Sequence, residues 1–366
     1  MKIKSVKATV HSIPVVVPLI KDPIEQRRFV FCEVESDEGH VGYGLTGHFL
    51  PFSVAAAIEK DFGPLLRGKD PRDTEAIHEQ VWWRLNPRTM TGVVSSAMSA
   101  LDIALWDLHG KATGRTVAEL LGGARDHAGV YITYGFPQYD REQIVEAAKQ
   151  QVSKGFRRLK LVVAVDKGGW REDAKRIHLV RDAVGEDVDL MIDANYMLRP
   201  VEARMLCRAV EDARLTWFEE PLHQNDARAL ADLRRHTGVP ISAGQMEGHR
   251  WRLRELVEHQ AVDILQPNCC YNGGYTETRK VAHLAQTYNL PIANGGGWPR
   301  FNMHTMAGLM NGWLVEFHLG MKYVEDHIFK NPPEPDPKDN VVRIPKAPGL
   351  GLEPNKDVLK DTLVRD

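Results

Sequence analysis

Short β-branched runs alternate with helical stretches over the second half of the chain, and this alternation constrains the fold more than any other feature. From residue 128 onward, eight strand-like runs are separated by helix-like ones, among them "GVYITYG", "FRRLKLVVAV", "VDLMIDAN", "LTWFEEPL" and finally "WLVEFHLG". Eight such units in about 200 residues favour a closed α/β barrel over an open doubly wound sheet. We therefore predict a TIM-like barrel over residues 128–325.

The residues before the barrel have strands first and helices afterwards. "KIKSVKATVHSIPV" alternates roughly in twos, and two further strand-like runs flank the turn sequence "SDEGH". Of the helical stretches that follow, "VSSAMSALDIALWDLHGKATG" is apolar around its circumference, which predicts a buried helix. We predict an α+β domain over residues 1–127 and a tail over residues 326–366 that returns to it.

Composition excludes several classes of function. The formal net charge is −2, so no field of the whole chain attracts nucleic acid. The four cysteines show no CxxC spacing, which argues against a disulfide framework or a zinc site. No apolar run is long enough to cross a membrane and the first residues resemble a strand, so we predict a cytoplasmic protein without a signal peptide.

Oxygen-bearing side chains stand at the ends of three successive predicted strands. Asp193 and Glu219 are separated by 26 positions, and so are Glu219 and Gln245. Each step is one strand–helix unit, so the three side chains are predicted to converge at the C-terminal mouth of the barrel. Two carboxylates and an amide oxygen are hard ligands that suit Mg²⁺. The sequence therefore predicts a magnesium site.

Alternatives to this metal site remain open. A strand-end Asp or Asn often caps the next helix, and "EEP" alone is a weak motif. Three such side chains in register are harder to explain by chance. Asn195 would then lie beside the metal or the substrate, and Glu247 could replace Gln245 because side chains two apart share one face of an extended chain.

Few residues near the predicted mouth could transfer a proton. Lys160 ends the second barrel strand, where burial and a cation would lower its pKa. It could act as an acid, as a base, or only as a partner for a bound carboxylate. His304 follows the loop "GGGWP", in which Trp298 could form a wall of the site, although His304 also fits an ordinary first helical turn. The further candidates near the mouth are Tyr134, Tyr271, His223 and His48.

The motifs together resemble the enolase superfamily, in its mandelate racemase and muconate lactonizing enzyme branch. The resemblance rests on the buried helix with "VAELLGG" after it, and on "GFRRLKL", "IDAN", "WFEEP", "SAGQMEG" and "PGLGLE". It implies a (β/α)7β barrel under an α+β capping domain. It also implies Mg²⁺-assisted removal of the proton α to a carboxylate, giving an enediolate, and a homo-oligomer.

Carried over by position, the resemblance assigns further residues. Asp193 and Glu219 match two metal ligands, and Gln245 stands where an acid is usual. Glu316 matches an acid that donates to the substrate carboxylate. "LTGHFLP" matches a loop that closes over substrates, in which His48 would contact the substrate.

The usual bases are missing from this chain. Val162 stands where a second lysine is common, Asn268 replaces an aspartate, and Asn294 or Gly295 replaces a histidine. Asn268 is therefore predicted to contact the substrate rather than to support a base.

Three hypotheses follow for the function. The first is a Mg²⁺-dependent lyase that dehydrates a hydroxy acid or acid sugar, since dehydration can run with one base that returns as the acid. The second is a racemase, epimerase or cycloisomerase that uses Lys160 or His304. The third is a barrel that binds a small carboxylate without turnover.

Overall fold

The N-terminal residues form an antiparallel sheet covered by helices. The computed structural model describes residues 1–47, 49–85 and 91–365. Strands β1 (Ile3–Val15), β2 (Glu25–Ser36) and β3 (Val41–Thr46) pair in that order. The helices of this part are α1 (Pro51–Ala56), α2 (Gly63–Leu66), α3 (Thr74–Leu85), α4 (Val93–Thr113) and α5 (Val117–Leu121), with a π-helical segment over Ala57–Phe62. We call this part the cap.

Helix α4 is buried, as its all-round apolar sequence predicts, and β3 lies directly on it. Two glycines of β3 allow this close approach. A Cβ atom at Gly44 would lie 1.8 Å from the carbonyl oxygen of Ala100, and one at Gly42 would lie 2.0 Å from that of Ala104. Backbone atoms cannot move aside as a flexible side chain can, so both positions require glycine.

The substitution Gly44→Ala is expected to destabilise the cap. Because a methyl group there would overlap the α4 backbone, we expect a loss of about 2–4 kcal/mol in the free energy of unfolding. Urea unfolding followed by circular dichroism measures it. Gly238→Ala is the matched control, since a Cβ at this exposed glycine has its nearest neighbour at 3.9 Å. Equal stability of the two variants would contradict the close approach.

The rest of the chain forms a parallel sheet that curls into a barrel. Its strands are β4 (His127–Gly135), β5 (Arg158–Val162), β6 (Asp189–Asp193), β7 (Trp217–Glu219), β8 (Ile241–Ala243), β9 (Ile264–Leu265) and β10 (Leu314–His318). The intervening helices are α6 (Arg141–Lys154), α7 (Trp170–Val184), α8 (Pro200–Ala209), α9 (Ala227–Arg235), α10 (Arg250–Glu258), α11 (Gly274–Thr287) and α12 (Pro299–Gly308). Short 3₁₀ segments cover Glu211–Ala213 and His223–Asn225.

The predicted seventh barrel strand is reduced to a bridge at Ile292. Its backbone pairs with Leu265 of β9 on one side and with Gly312, just before β10, on the other. The N–H of Ala293 donates to Leu265 and that of Asn294 to Leu314, which joins β9 to β10. Since β10 also pairs with β4, the ring of strands closes. The (β/α)7β architecture under an α+β cap is therefore confirmed.

The last residues of the chain contact both parts of the molecule. Helix α13 (Leu319–Ile328) is followed by β11 (Phe329–Lys330), β12 (Val341–Arg343), β13 (Glu353–Pro354) and α14 (Lys356–Asp361). Strand β12 pairs with β4 of the barrel. The N–H of Val364 donates to Val10 of β1. Among the described residues, no helix is long and apolar enough to cross a membrane.

Candidate active site

The inward-facing side chains of the barrel form layers. The lowest layer is apolar and includes Tyr131, Met191, Trp217 and Leu314, all fully buried. Because side chains alternate along a strand, the residue two positions further on faces the same way, one layer nearer the C-terminal ends. In β6, β7 and β10 those residues are the carboxylates Asp193, Glu219 and Glu316. The sequence thus places an acidic layer directly on an apolar floor.

Lys160 lies at the centre of this acidic layer. Its Nζ is 2.6 Å from Oε1 of Glu219, 2.9 Å from Oε1 of Glu316 and 3.2 Å from Oδ2 of Asp193. All four side chains are buried. With every group ionised, this cluster holds three negative charges and one positive charge. An excess of negative charge in a buried space favours a further cation.

These contacts shift the pKa values of the cluster. Burial alone would lower the pKa of Lys160, but Glu219, Glu316 and Asp193 raise it well above its ordinary value. Burial, together with Asp193 and Glu316, raises the pKa of Glu219 well above the usual range. The sequence predicted a lowered pKa for Lys160 because a cation was assumed beside it. Beside three carboxylates the pKa of Lys160 is raised instead.

Gln245 presents its amide oxygen to the same cluster. Its Nε2 donates to Oε2 of Glu220 at 2.6 Å, while its Oε1 is buried and has no hydrogen-bond partner. A Cβ atom at Gly295 would lie 2.7 Å from this Oε1 and 2.8 Å from Oε1 of Glu219. The two oxygens therefore face one point, and glycine leaves that point open.

The residues present fit a divalent cation only if the amide takes part. In the described part of the chain, no three His, Cys, Asp or Glu side chains have metal-binding geometry by themselves. The Oε1 atom of Gln245 is buried without a hydrogen-bond partner beside two carboxylates, so it can supply the missing hard ligand. Glu247 is engaged elsewhere, since its carboxylate accepts from Asn225 (3.2 Å) and Arg252 (3.1 Å).

Glu316 is held in place by neighbours on three sides. Its Oε1 accepts from Oγ1 of Thr133 at 2.5 Å and from Lys160, and its Oε2 accepts from the N–H of Gly297 at 2.6 Å. Burial would raise its pKa, but Lys160 lowers the pKa below the usual value. Glu316 is thus an ionised, fixed acceptor between β4, β5 and the glycine loop.

Asn268 is bonded into the glycine loop, which we define as Gly295–Gly297. Its Nδ2 donates to the carbonyl oxygens of Gly295 (2.6 Å) and Gly297 (3.3 Å), and its Oδ1 accepts from Asn302 (3.0 Å). Asn294 donates to the same two carbonyl oxygens. The side-chain amides of Asn268 and Asn294 thus fix the backbone of the glycine loop. This backbone, and not a larger side chain, forms the wall of the site here.

The structure places the other predicted residues outside the Lys160 cluster. His304 is buried on α12, where its Nε2 is 3.1 Å from the carbonyl oxygen of Leu350, and burial lowers its pKa to about 4. Trp298 is also buried and donates to the hydroxyl of Tyr271. His48 lies outside the described residues.

Asn195 is exposed, and its N–H donates to Oδ1 of Asp193 at 2.9 Å. Helix α8 begins only at Pro200 with Arg199 as its N-cap. Asp193 and Asn195 therefore do not cap this helix, which removes that alternative.

Several residues of the site were not anticipated from the sequence. Trp217 and Gln266 donate to Oε2 of Glu219 at 3.1 and 2.8 Å. Burial raises the pKa of Glu220 to about 7. His318 lies two positions after Glu316 and faces the same side of β10. The spacing Glu-x-His at the end of the last strand was the available signal for it.

Comparison with known proteins identifies the family. Residues 2–122 match the family model described as the mandelate racemase / muconate lactonizing enzyme N-terminal domain, and residues 143–358 match the enolase C-terminal domain-like model. The chain belongs to the mandelate racemase and muconate lactonizing enzyme branch of the enolase superfamily. The resemblance of the sequence motifs to this branch is thereby confirmed.

Proteins with different activities are similar to this chain over nearly its whole length. An arabinonate dehydratase of Saccharolobus solfataricus is 32% identical, with 91% of this chain and 89% of the relative covered. A D-galactarolactone cycloisomerase of Agrobacterium fabrum is 30% identical, with 93% of each covered. The crystal structure of a racemase from Streptomyces coelicolor with bound magnesium has a TM-score of 0.91 and 27% identity, covering 99% of this chain and 100% of that one.

Proposed function

We propose that this protein is a Mg²⁺-dependent enzyme that removes the proton α to the carboxylate of an acid sugar and eliminates water. The observation that carries the proposal is the buried excess of negative charge around Lys160, with the unpartnered oxygen of Gln245 facing Glu219. A buried group of this composition suits a divalent cation and a bound carboxylate better than it suits a purely structural role.

Asp193, Glu219 and Gln245 would hold the cation. A bound Mg²⁺ supplies positive charge that offsets the negative charge developing on the substrate carboxylate. Gln245 contributes no charge, so the site holds one negative charge fewer than a site with three carboxylates. Glu220 fixes the orientation of this amide, because its carboxylate takes the Nε2 hydrogen bond and leaves Oε1 for the cation.

Lys160 would carry the α proton. It can accept a proton only as the neutral amine, and burial favours that form once Asp193 and Glu219 are shared with a cation. After C–O cleavage, the resulting ammonium returns the proton to the departing hydroxyl group. Glu316, fixed by Thr133 and Gly297, would face the carboxylate end of the substrate. Because its pKa is lowered and it is ionised in this structure, it would donate a hydrogen bond to that carboxylate only after taking up a proton.

Relatives support the substrate class. The arabinonate dehydratase and the D-galactarolactone cycloisomerase are each at least 30% identical and nearly fully covered. Both names denote sugar-acid chemistry, which favours an acid-sugar substrate here. The second relative makes cycloisomerisation the alternative outcome for the same site. Several further points stay predictions. They are substrate contacts of His48, Asn195, Asn268 and Trp298, catalysis by His304, assembly as a homo-oligomer, and a cytoplasmic location.

The proposal predicts α-proton exchange that depends on Mg²⁺. The wild-type protein is incubated in D₂O with five- and six-carbon aldonates and aldarates, with and without Mg²⁺, and followed by proton NMR. We expect at least one substrate to lose its α-proton signal and to form a 2-keto-3-deoxy acid. A lactone or epimer as the product would support the isomerase alternative instead. Binding of acid sugars without exchange or turnover would favour the non-catalytic barrel.

A further inference from the structure

The imidazole of His318 lies above the acidic layer, where a substrate on Glu316 would extend. Glu316 and His318 point to the same side of β10, and His318 is one layer nearer the mouth. Its ring packs edge-on against Phe136, at 5.2 Å between ring centroids, and its Cβ lies against the glycine loop at Gly297.

Charged groups face His318 from both parts of the molecule. Glu316 and Lys160 act on it from the barrel, and Arg27 and Glu25 act on it from β2 of the cap. Arg27 and Glu25 are themselves an ion pair. The imidazole therefore lies between the acidic layer of the barrel and β2 of the cap.

The protonation state of His318 follows from its place at a helix end. It is the N-cap of α13, and the N–H of Met321 donates to its Nδ1 at 3.4 Å. A nitrogen that accepts a hydrogen bond carries no proton, so the proton of the neutral ring is on Nε2. Nε2 has no hydrogen-bond partner among the residues that the structure describes.

Two effects keep the ring neutral. Burial lowers the pKa of His318, Arg27 and Lys160 lower it further, and Glu316 opposes them without reversing the direction. The positive end of the α13 dipole also disfavours a charged imidazole. A neutral imidazole at a helix N-terminus can polarise a substrate oxygen by donating a hydrogen bond.

We infer that His318 is a further catalytic residue of this site, whose Nε2–H donates to the hydroxyl group that leaves the substrate. The inference rests on the proposed function. The α proton moves to the Lys160 amine, the neighbouring C–O bond breaks, and the departing oxygen takes the proton back from Lys160 to leave as water. His318 loses no proton. Its hydrogen bond strengthens as negative charge builds on the departing oxygen.

Two variants separate this role from helix capping. His318→Asn keeps an acceptor for the Met321 N–H but is too short to donate from the Nε2 position. His318→Gln places an amide N–H at that position. Both variants and the wild type are assayed with Mg²⁺ in D₂O on an acid sugar that the wild type dehydrates. α-Proton exchange and keto-acid formation are recorded in the same NMR sample, and thermal unfolding is measured separately.

We expect His318→Asn to unfold at the wild-type temperature and to form keto acid about 100-fold more slowly, because one donor to the developing charge is gone. Exchange of the α proton should stay within about threefold of the wild type, since Lys160 is untouched. His318→Gln should form keto acid at least about tenfold faster than His318→Asn. Equal loss of exchange and dehydration, or no rescue by glutamine, would overturn the role of His318.

A second measurement does not depend on turnover. Nitrogen-15 NMR of the imidazole in the wild-type protein at pH 7 should show a proton on Nε2 and none on Nδ1. A proton on Nδ1 overturns the inference even if the enzyme is active. Absence of exchange by the wild type on every acid sugar overturns the proposed function itself, so the two failures are distinguishable.

Discussion

Glu219→Gln should abolish Mg²⁺-dependent α-proton exchange, with a loss of at least about 10³-fold. Glu219 Oε1 faces both Lys160 and the point shared with Gln245, and its Oε2 is held by Trp217 and Gln266. The amide keeps the shape of the side chain but removes the charge that a cation and Lys160 share. The exchange rate in D₂O and the heat of Mg²⁺ binding measure both consequences.

The matched control is Glu353→Gln, the same chemical change at an exposed glutamate paired with Lys330. It should keep the wild-type rate of α-proton exchange and the wild-type Mg²⁺ affinity. This ion pair lies outside the barrel, and exposed ion pairs contribute little to stability. If Glu219→Gln binds Mg²⁺ and exchanges the α proton as the wild type does, Glu219 is not a metal ligand and the proposed site is wrong.

Lys160→Met should destabilise the metal-free protein by about 3–5 kcal/mol, because it leaves three buried carboxylates without their cation. The methionine fills a similar volume, so lost packing contributes little. Urea unfolding without metal measures the loss. Mg²⁺ should stabilise this variant more than it stabilises the wild type, since Lys160 no longer competes for Asp193 and Glu219. Dehydration should be lost in the same variant.

The pH dependence of this loss has a defined sign. Burial and the neighbouring carboxylates raise the pKa of Glu219 in the folded protein above its unfolded value, so protonation of Glu219 stabilises the fold. The deficit of Lys160→Met should therefore be largest between neutral pH and the ordinary lysine pKa of about 10.4. It should shrink as the pH falls through the folded pKa of Glu219, which the removal of Lys160 raises further. Lys330→Met, at an exposed lysine, is the control and should show neither effect. A deficit independent of pH and Mg²⁺ would indicate a packing defect instead.

Residues on regular strands could be predicted from the sequence, and residues in irregular backbone could not. Asp193, Glu219 and Lys160 lie on strands whose spacing and alternation are visible in the sequence, so their convergence follows from the barrel register. Gln245 could be placed near them, but its orientation depends on the hydrogen bond to Glu220 from the neighbouring strand. No local pattern encodes that contact.

His304 and Asn268 show a second limit of prediction from the sequence. His304 follows a glycine-rich loop, but the αL conformation of Trp298 starts α12 so that the histidine faces the C-terminal tail. Asn268 follows β9 near the mouth, but its Nδ2 donates to the glycine loop and its Oδ1 accepts from Asn302. Both outcomes depend on segments distant in sequence. His318 shares a face of β10 with Glu316, so the spacing of these two residues is the only local signal for it.

The attachment of the chain end to both parts of the molecule limits how the site can open. Val364 is bonded to β1 of the cap and β12 is paired with β4 of the barrel, so the cap cannot swing away as a rigid body without breaking one attachment or extending the chain between them. Entry of a substrate must then use the connections around the mouth, such as residues 16–24 between β1 and β2. Loops move in nanoseconds to microseconds, whereas hinged domains need microseconds to milliseconds. Admission of substrate is therefore expected to require local motion of these loops and no hinging of the cap.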